Sequence, residues 1–133
     1  MKTRKLLDSF ALIRFLRREA GSERVKELLG QSARSGDPLL MCELNLGEVY
    51  YVIGRERGLP LAEETIALVS TLPIRRVSVT WEMILHAARL KSQHALSYAD
   101  CMAAACAIAH KAVLITGDRE FKAVKHMLPI EWI

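Results

Sequence analysis

Short apolar runs alternate with stretches of helical periodicity along the chain. Lys5–Leu7 predicts a strand that ends at Asp8. Leu12, Ile13 and Leu16 then recur at helical spacing and predict a helix over Ser9–Ala20, closed by Gly21. Ser22 is placed to cap a second helix, with Val25, Leu28 and Leu29 inward, ending near Gly36. After the Asp37-Pro38 turn comes a strand at Leu39–Cys42. Helices follow over Glu43–Arg57, stopped by Gly58, and over Leu61–Leu72, bounded by Pro60 and Pro73. The β-branched run Ile74–Val79 predicts a third strand. Thr80 caps a helix through about His94, and Ser97 caps an alanine-rich one to about Lys111. A strand at Ala112–Thr116, a short helix at Arg119–His126 and an edge strand at Ile130–Ile133 complete the pattern.

Strands separated by helical crossovers predict an α/β fold with a parallel central sheet covered on both faces. At 133 residues and 51% hydrophobic content, the chain is expected to form a single domain over residues 1–133. No apolar stretch approaches the roughly 20 residues that cross a bilayer. The N-terminal stretch "MKTRKLLDSFALIRF" has the basic-then-apolar order of a signal peptide. Asp8 and Arg14 interrupt it and no small-residue cleavage site follows, so a cytoplasmic, non-membrane protein is expected. Cys42, Cys101 and Cys106 are odd in number and match neither a disulfide framework nor a zinc site; buried free thiols are expected.

In a sheet of this kind ligands bind beyond the carboxyl ends of the strands. Four acids fall there. Asp8 ends the first strand, where it also suits the N-cap of the next helix. Glu48 lies four residues from both Leu44 and Val52, on a stripe expected to face the core, where a lone carboxylate costs several kcal/mol. Asp100 completes a capping box, Ser97-Tyr98-Ala99-Asp100, at the head of the apolar helix segment Met102–Ala109. Asp118 follows the strand "VLIT" through Gly117 and suits an N-cap for Arg119 onward. Each has a plain structural explanation, but together they are expected to crowd one rim. Two like charges 4 Å apart repel by about 4 kcal/mol at an effective dielectric near 20. Four converging carboxylates therefore call for a cation, and oxygen-only ligation suits Mg²⁺ or Mn²⁺.

The segments "LLDSFALIRFL" (6–16), "LNLGEVYYVIGR" (44–55), "LSYADCMAAACAIA" (96–109) and "LITGDREFK" (114–122) resemble, in order and spacing, the four acidic motifs of the PIN-domain family. The likeness spans almost the whole chain and is nearest to the VapC-type toxins of toxin–antitoxin pairs. It implies a PIN-like three-layer α/β/α sandwich and a Mg²⁺- or Mn²⁺-dependent endoribonuclease acting on single-stranded or structured RNA. By that resemblance Asp8, Glu48, Asp100 and Asp118 are the catalytic acids and hold one or two metal ions, with Ser9 and Thr116 as supporting hydroxyls. Cys42, Thr80 and Arg119 depart from the common pattern without removing an acid. Glu120 reads as a solvated first-turn residue suited to the helix dipole, although some relatives carry an extra acid nearby.

The same resemblance implies a cognate antitoxin, whose C-terminal segment covers the acidic pocket, and a homodimer. Net charge is +4, and the chain without its four motif acids is more basic still. Arg14, Arg17, Arg18, Arg55, Arg57, Arg119 and Lys122 stand on helices beside the motifs as candidate phosphate contacts, or as ordinary solvated residues. His86, His94, His110 and His126 are scattered and are not expected to take part. Two other α/β chemistries are disfavoured, since no D-x-D follows the first strand and the third-strand segment "VSVTW" at 77–81 holds no acceptor Asp. A catalytically degenerate PIN module that binds or scaffolds RNA, and a solitary RNA-processing nuclease, remain as alternatives.

Overall fold

Each strand of the sheet turns one apolar residue to each face, and that alternation builds the layers. A computed structural model describes residues 3–133; residues 1–2, part of the basic N-terminal stretch, lie outside it. Strands β1 (Arg4–Leu7), β2 (Leu39–Cys42), β3 (Ile74–Val77), β4 (Ala112–Thr116) and β5 (Ile130–Trp132) form one sheet in the order β3-β2-β1-β4-β5. Every pairing is parallel. In register, Leu6 lies beside Leu40 and Leu114, and Leu7 beside Met41 and Ile115. Leu6, Leu40 and Leu114 point to one core, while Leu7, Met41 and Ile115 point into the layer on the other face.

Helices α5 (Trp81–Gln93) and α6 (Tyr98–Ala109) cover the first face, together with Phe121 and Val124 of a 3₁₀ helix at Arg119–Val124. Helices α1 (Ser9–Arg17), α2 (Ser22–Ser35), α3 (Glu43–Arg57) and α4 (Leu59–Val69) cover the other. As the alanine-rich pattern predicts, α6 is buried along its length from Cys101 to Ala107. Small side chains let it lie close to the sheet, which places its N-terminus at the carboxyl ends of the strands. The three-layer parallel fold read from the sequence is therefore the observed one.

Several element ends differ, each for a local reason. Helix α1 stops at Arg17 because Arg18 turns into the left-handed region (φ 54°), and its N–H reaches Arg14 and Phe15 carbonyls. The N-cap of α2 is Gly21 rather than Ser22, and no side chain caps it. Pro60 lies inside the first turn of α4 instead of preceding the helix, a place where its missing N–H costs nothing. The segment after Asp118 is 3₁₀ and ends at Val124, short of His126. Thr80 and Ser97 do cap as expected, accepting from Met83 N at 3.2 Å and Asp100 N at 3.1 Å.

Candidate metal centre

Asp8 and Asp118 directly follow strands β1 and β4, Glu48 lies in the second turn of the helix after β2, and Asp100 lies in the first turn of α6, after the loop from α5. Asp8 is the N-cap of α1: its Oδ1 accepts from Ala11 N at 2.8 Å. Its Oδ2 accepts from the Thr116 hydroxyl at 2.5 Å, across the β1–β4 pairing. Thr116 also accepts from Asp118 N at 3.0 Å, so one buried hydroxyl fixes two of the acids. Asp118 in turn caps the 3₁₀ helix, its Oδ1 accepting from Glu120 N at 3.0 Å. For Asp8 and Asp118 the plain capping role and the convergence are both real, because the cap position is what orients the carboxylate.

Gly117 makes this turn passable. A Cβ there would meet the Phe10 ring at 2.5 Å and the Ile133 carbonyl oxygen at 2.9 Å, so no larger residue fits between β4 and Asp118.

Asp100, Asp118 and Glu120 each offer a carboxylate oxygen, and these oxygens all lie within 4.8 Å of one another. Glu120, read from sequence as a solvated residue, is exposed and also a member of this cluster. Glu48 stands beside it, accepting from the Ser9 hydroxyl at 2.6 Å. Among the described residues no Lys or Arg forms an ion pair with any of the five acids; the pairs present are Arg17–Glu56, Arg24–Glu27 and Arg24–Glu131.

The electrostatic consequence is direct. Asp8 is almost wholly buried, and burial above all, opposed by the Thr116 and Ala11 hydrogen bonds and aided by Asp100 and Asp118, pushes its pKa up to about 7. Asp100 is raised to about 6, first by burial and then by Asp118, with Glu48 and Glu120 adding. Negative charge without a partner is what a cation site looks like before its ion is counted. Carboxylates alone, with half-exposed Asp100 and Asp118 leaving room for waters, fit a hard divalent cation such as Mg²⁺ or Mn²⁺. None of the four histidines belongs to the cluster.

One residue escaped the sequence reading. The stripe of α3 assigned to the core, Leu44 and Val52 around Glu48, is not the buried one: Leu44 is 37% exposed, and the buried positions are Asn45, Val49 and Ile53. Asn45 is fully buried and donates from Nδ2 both to Glu48 Oε1 (3.4 Å) and to the Ala99 carbonyl (3.2 Å). Its Oδ1 is buried with no partner, which costs about 1–3 kcal/mol. The signal in the sequence was an amide at helical spacing with Val49 and Ile53.

The candidate phosphate contacts are spread over the helices, with Arg14, Arg17 and Arg18 at the end of α1 and Arg55 and Arg57 at the end of α3. Arg14 stacks on Phe10 (4.6 Å), Arg55 on Tyr51 (5.3 Å) and Arg119 on Trp132 (5.0 Å). Arg17 is paired with Glu56, Arg18 ends α1, and Arg57 and Lys122 are exposed. The three cysteines are free and buried. At the head of α3, a hydrogen bond with the Cys106 thiol holds the Cys42 thiol below its ordinary range. No described helix is long and apolar enough to cross a membrane.

The same arrangement of strands and helices recurs in solved structures of toxin–antitoxin proteins. DNA-bound VapBC from Salmonella typhimurium superposes with a TM-score of 0.76 at 14% identity, covering 98% of each chain. VapBC-1 from nontypeable Haemophilus influenzae gives 0.73 at 22% identity, again over 98% of each. Mycobacterium tuberculosis VapC20, a toxin that cleaves the sarcin–ricin loop, gives 0.70 at 18% identity, over 90% of this chain and 93% of that one. No curated protein matches the chain. The PIN domain family model, however, matches residues 5–127, from the first strand to beyond the last acid. The chain belongs to the PIN-domain family.

Proposed function

We propose that the protein is a divalent-metal-dependent endoribonuclease that hydrolyses phosphodiester bonds in single-stranded or structured RNA, as the toxin of a toxin–antitoxin pair. The observation that carries this reading is the convergence of Asp100, Asp118 and Glu120 within 4.8 Å, beside Glu48 and buried Asp8, with no Lys or Arg among the described residues ion-paired to them. The family membership and the VapBC likeness support it.

Asp100 and Asp118 are the principal ligands in this reading, with Glu48, Glu120 and Asp8 completing the negative field. Mg²⁺ or Mn²⁺, as one or two ions, supplies Lewis-acid activation of water and neutralises charge at the phosphate. The chain's own groups do the rest. Thr116 and the α1 N-terminus hold the Asp8 carboxylate in one orientation, and Ser9 does the same for Glu48. Asp118 cannot swing away, because its N–H is tied to Thr116 and its Oδ1 to Glu120 N. Preset ligands of this kind lower the reorganisation needed when substrate arrives. In this reading Arg119 and Lys122, close in sequence to Asp118, and Arg14 on α1 are the candidate contacts for the flanking phosphates.

The partner in this reading is an antitoxin that lays a basic side chain among the acids, and a second copy of the chain completes the assembly. The degenerate-module alternative loses ground because no motif acid is missing.

The test is cleavage of labelled single-stranded RNA and tRNA by purified protein. Activity should vanish in EDTA, return with Mg²⁺ or Mn²⁺, and fall by at least about 100-fold in Asp118→Asn, more than loss of a mere supporting contact brings. Cleavage indifferent to EDTA, or unchanged in the variant, overturns the assignment.

A further inference from the structure

Asn45 is the one fully buried amide of the structure's carboxyl edge, and its bonds go to two different helices. One Nδ2 hydrogen reaches Glu48 Oε1, one turn further along α3; the other reaches the carbonyl of Ala99, the residue before Asp100 on α6. Among the described residues, no other side-chain hydrogen bond joins α3 to the N-terminus of α6. An apolar residue of the same volume would fill this place without stranding a buried oxygen, as Oδ1 is stranded here. The amide is therefore present for its two donated bonds. Both end on the acid cluster's own scaffold.

We propose that Asn45 is a positioning residue for the metal centre: its amide ties the Glu48 carboxylate to the backbone that carries Asp100, setting the gap across which those two acids share a cation. The inference rests on the metal-nuclease reading above. Asn45 touches neither metal nor RNA in it; it acts through Glu48 and through Ala99. Helix α3 packs on α1, α4 and α6, but without the strap no side-chain bond would fix its register against Ala99, and Glu48 would keep only its Ser9 bond. Separation between ligands is what Mg²⁺ and Mn²⁺ are least tolerant of, since their octahedra are small and stiff.

Asn45→Leu keeps the volume and removes both bonds. Mn²⁺ binding, followed by calorimetry or by the loss of the free-ion resonance signal, should weaken by about 10–100-fold, the range found when a supporting partner of a ligand is lost. RNA cleavage should fall through kcat with KM for RNA little changed, and the metal-free melting temperature should hold or rise as the stranded carbonyl disappears. Asn45→Ser, which cannot overpack the site, should weaken Mn²⁺ binding in the same way, so a poorly folded leucine variant does not shield the proposal. Val49→Ala, one turn on and remote from the acids' hydrogen bonds, should lower the melting temperature and leave Mn²⁺ affinity alone. Wild-type Mn²⁺ affinity in a folded Asn45 variant overturns the strap while leaving the nuclease reading intact. A wild-type protein that neither binds Mn²⁺ nor cuts RNA overturns both.

Discussion

At the amino ends of the strands, Arg4, Lys5 and Arg75 stand around a cleft of about 480 Å³ whose other walls include Gln31, Ser32 and Asp37. At the carboxyl ends stand Asp8, Glu48, Asp100, Asp118 and Glu120. Both edges gather like charges, and both shift a neighbour's titration: burial, then Arg4 and Arg75, lowers the pKa of His110, as burial and fellow acids raise Asp8 and Asp100. The difference lies in water. Arg4 and Arg75 are exposed, and solvent screens their repulsion, whereas Asp8 is 1% exposed and has only Thr116 and Ala11 to answer it. Charge that a surface holds freely needs no explanation from function. Charge forced into a shared, half-dry corner does.

The largest expected effect comes from filling that corner. Both raised pKa values lie above the unfolded value of 3.8, so protonated Asp8 and Asp100 favour the folded state. Their contribution is whole below about pH 4 and is lost as pH rises through about 6 for Asp100 and about 7 for Asp8. For Asp8 the loss is on the order of 4 kcal/mol at about 1.4 kcal/mol per unit; half-buried Asp100 adds less. Metal-free protein should thus melt lower at pH 8 than at pH 5, other groups held aside by a control at fixed ionic strength. Mg²⁺ or Mn²⁺ at about 100 times its Kd should return about 2.7 kcal/mol at pH 8 and far less at pH 5, where protons compete. A melting temperature that ignores both pH and metal over this range breaks the contrast between the two edges.

Thr116→Val sharpens the contrast from within the corner. The valine keeps the shape but leaves Asp8 Oδ2 and Asp118 N without their shared hydroxyl. Asp8 loses a bond that lowers its pKa and should titrate higher still, seen by carboxyl NMR. Stability should drop by about 1–3 kcal/mol and cleavage by about 10–100-fold. An unchanged Asp8 titration would mean that burial alone governs this acid.

How much of this was legible in the chain depends on where the information lies. The strands and their two-faced alternation follow from local apolar pattern, so Leu6–Leu7 and Leu114–Ile115 announce the layers. The rim acids follow from topology, because any residue just past a parallel strand reaches the same edge. Helix α3 is different. Leu44, Leu46, Val49, Tyr50, Tyr51, Val52 and Ile53 run nearly all round it, since it packs on α1, α4 and α6 at once. With no single apolar stripe, its rotation was not readable, and the stripe chosen was one residue out. That step hid Asn45. Glu120, read as a solvated first-turn residue, is exposed as expected, and where the segment after Asp118 is 3₁₀ rather than α-helical its carboxylate also lies near those of Asp100 and Asp118.

The smallest expected effect tests the other edge. Arg75 is exposed on the edge strand β3, and its side chain makes no hydrogen bond or ion pair among the described residues. Arg75→Ala should change stability by no more than about 0.5 kcal/mol, as surface substitutions away from special features do. The His110 pKa should move up toward its ordinary value, since one of the two positive neighbours that lower it is gone. Mn²⁺ affinity and RNA cleavage should not move, because the strands' full length separates Arg75 from the acids. If cleavage does fall with Arg75→Ala, and more at low salt than at high, then RNA reaches round the sheet to its amino edge. The basic cleft would then be part of the substrate path, and the two edges would differ in charge but not in purpose.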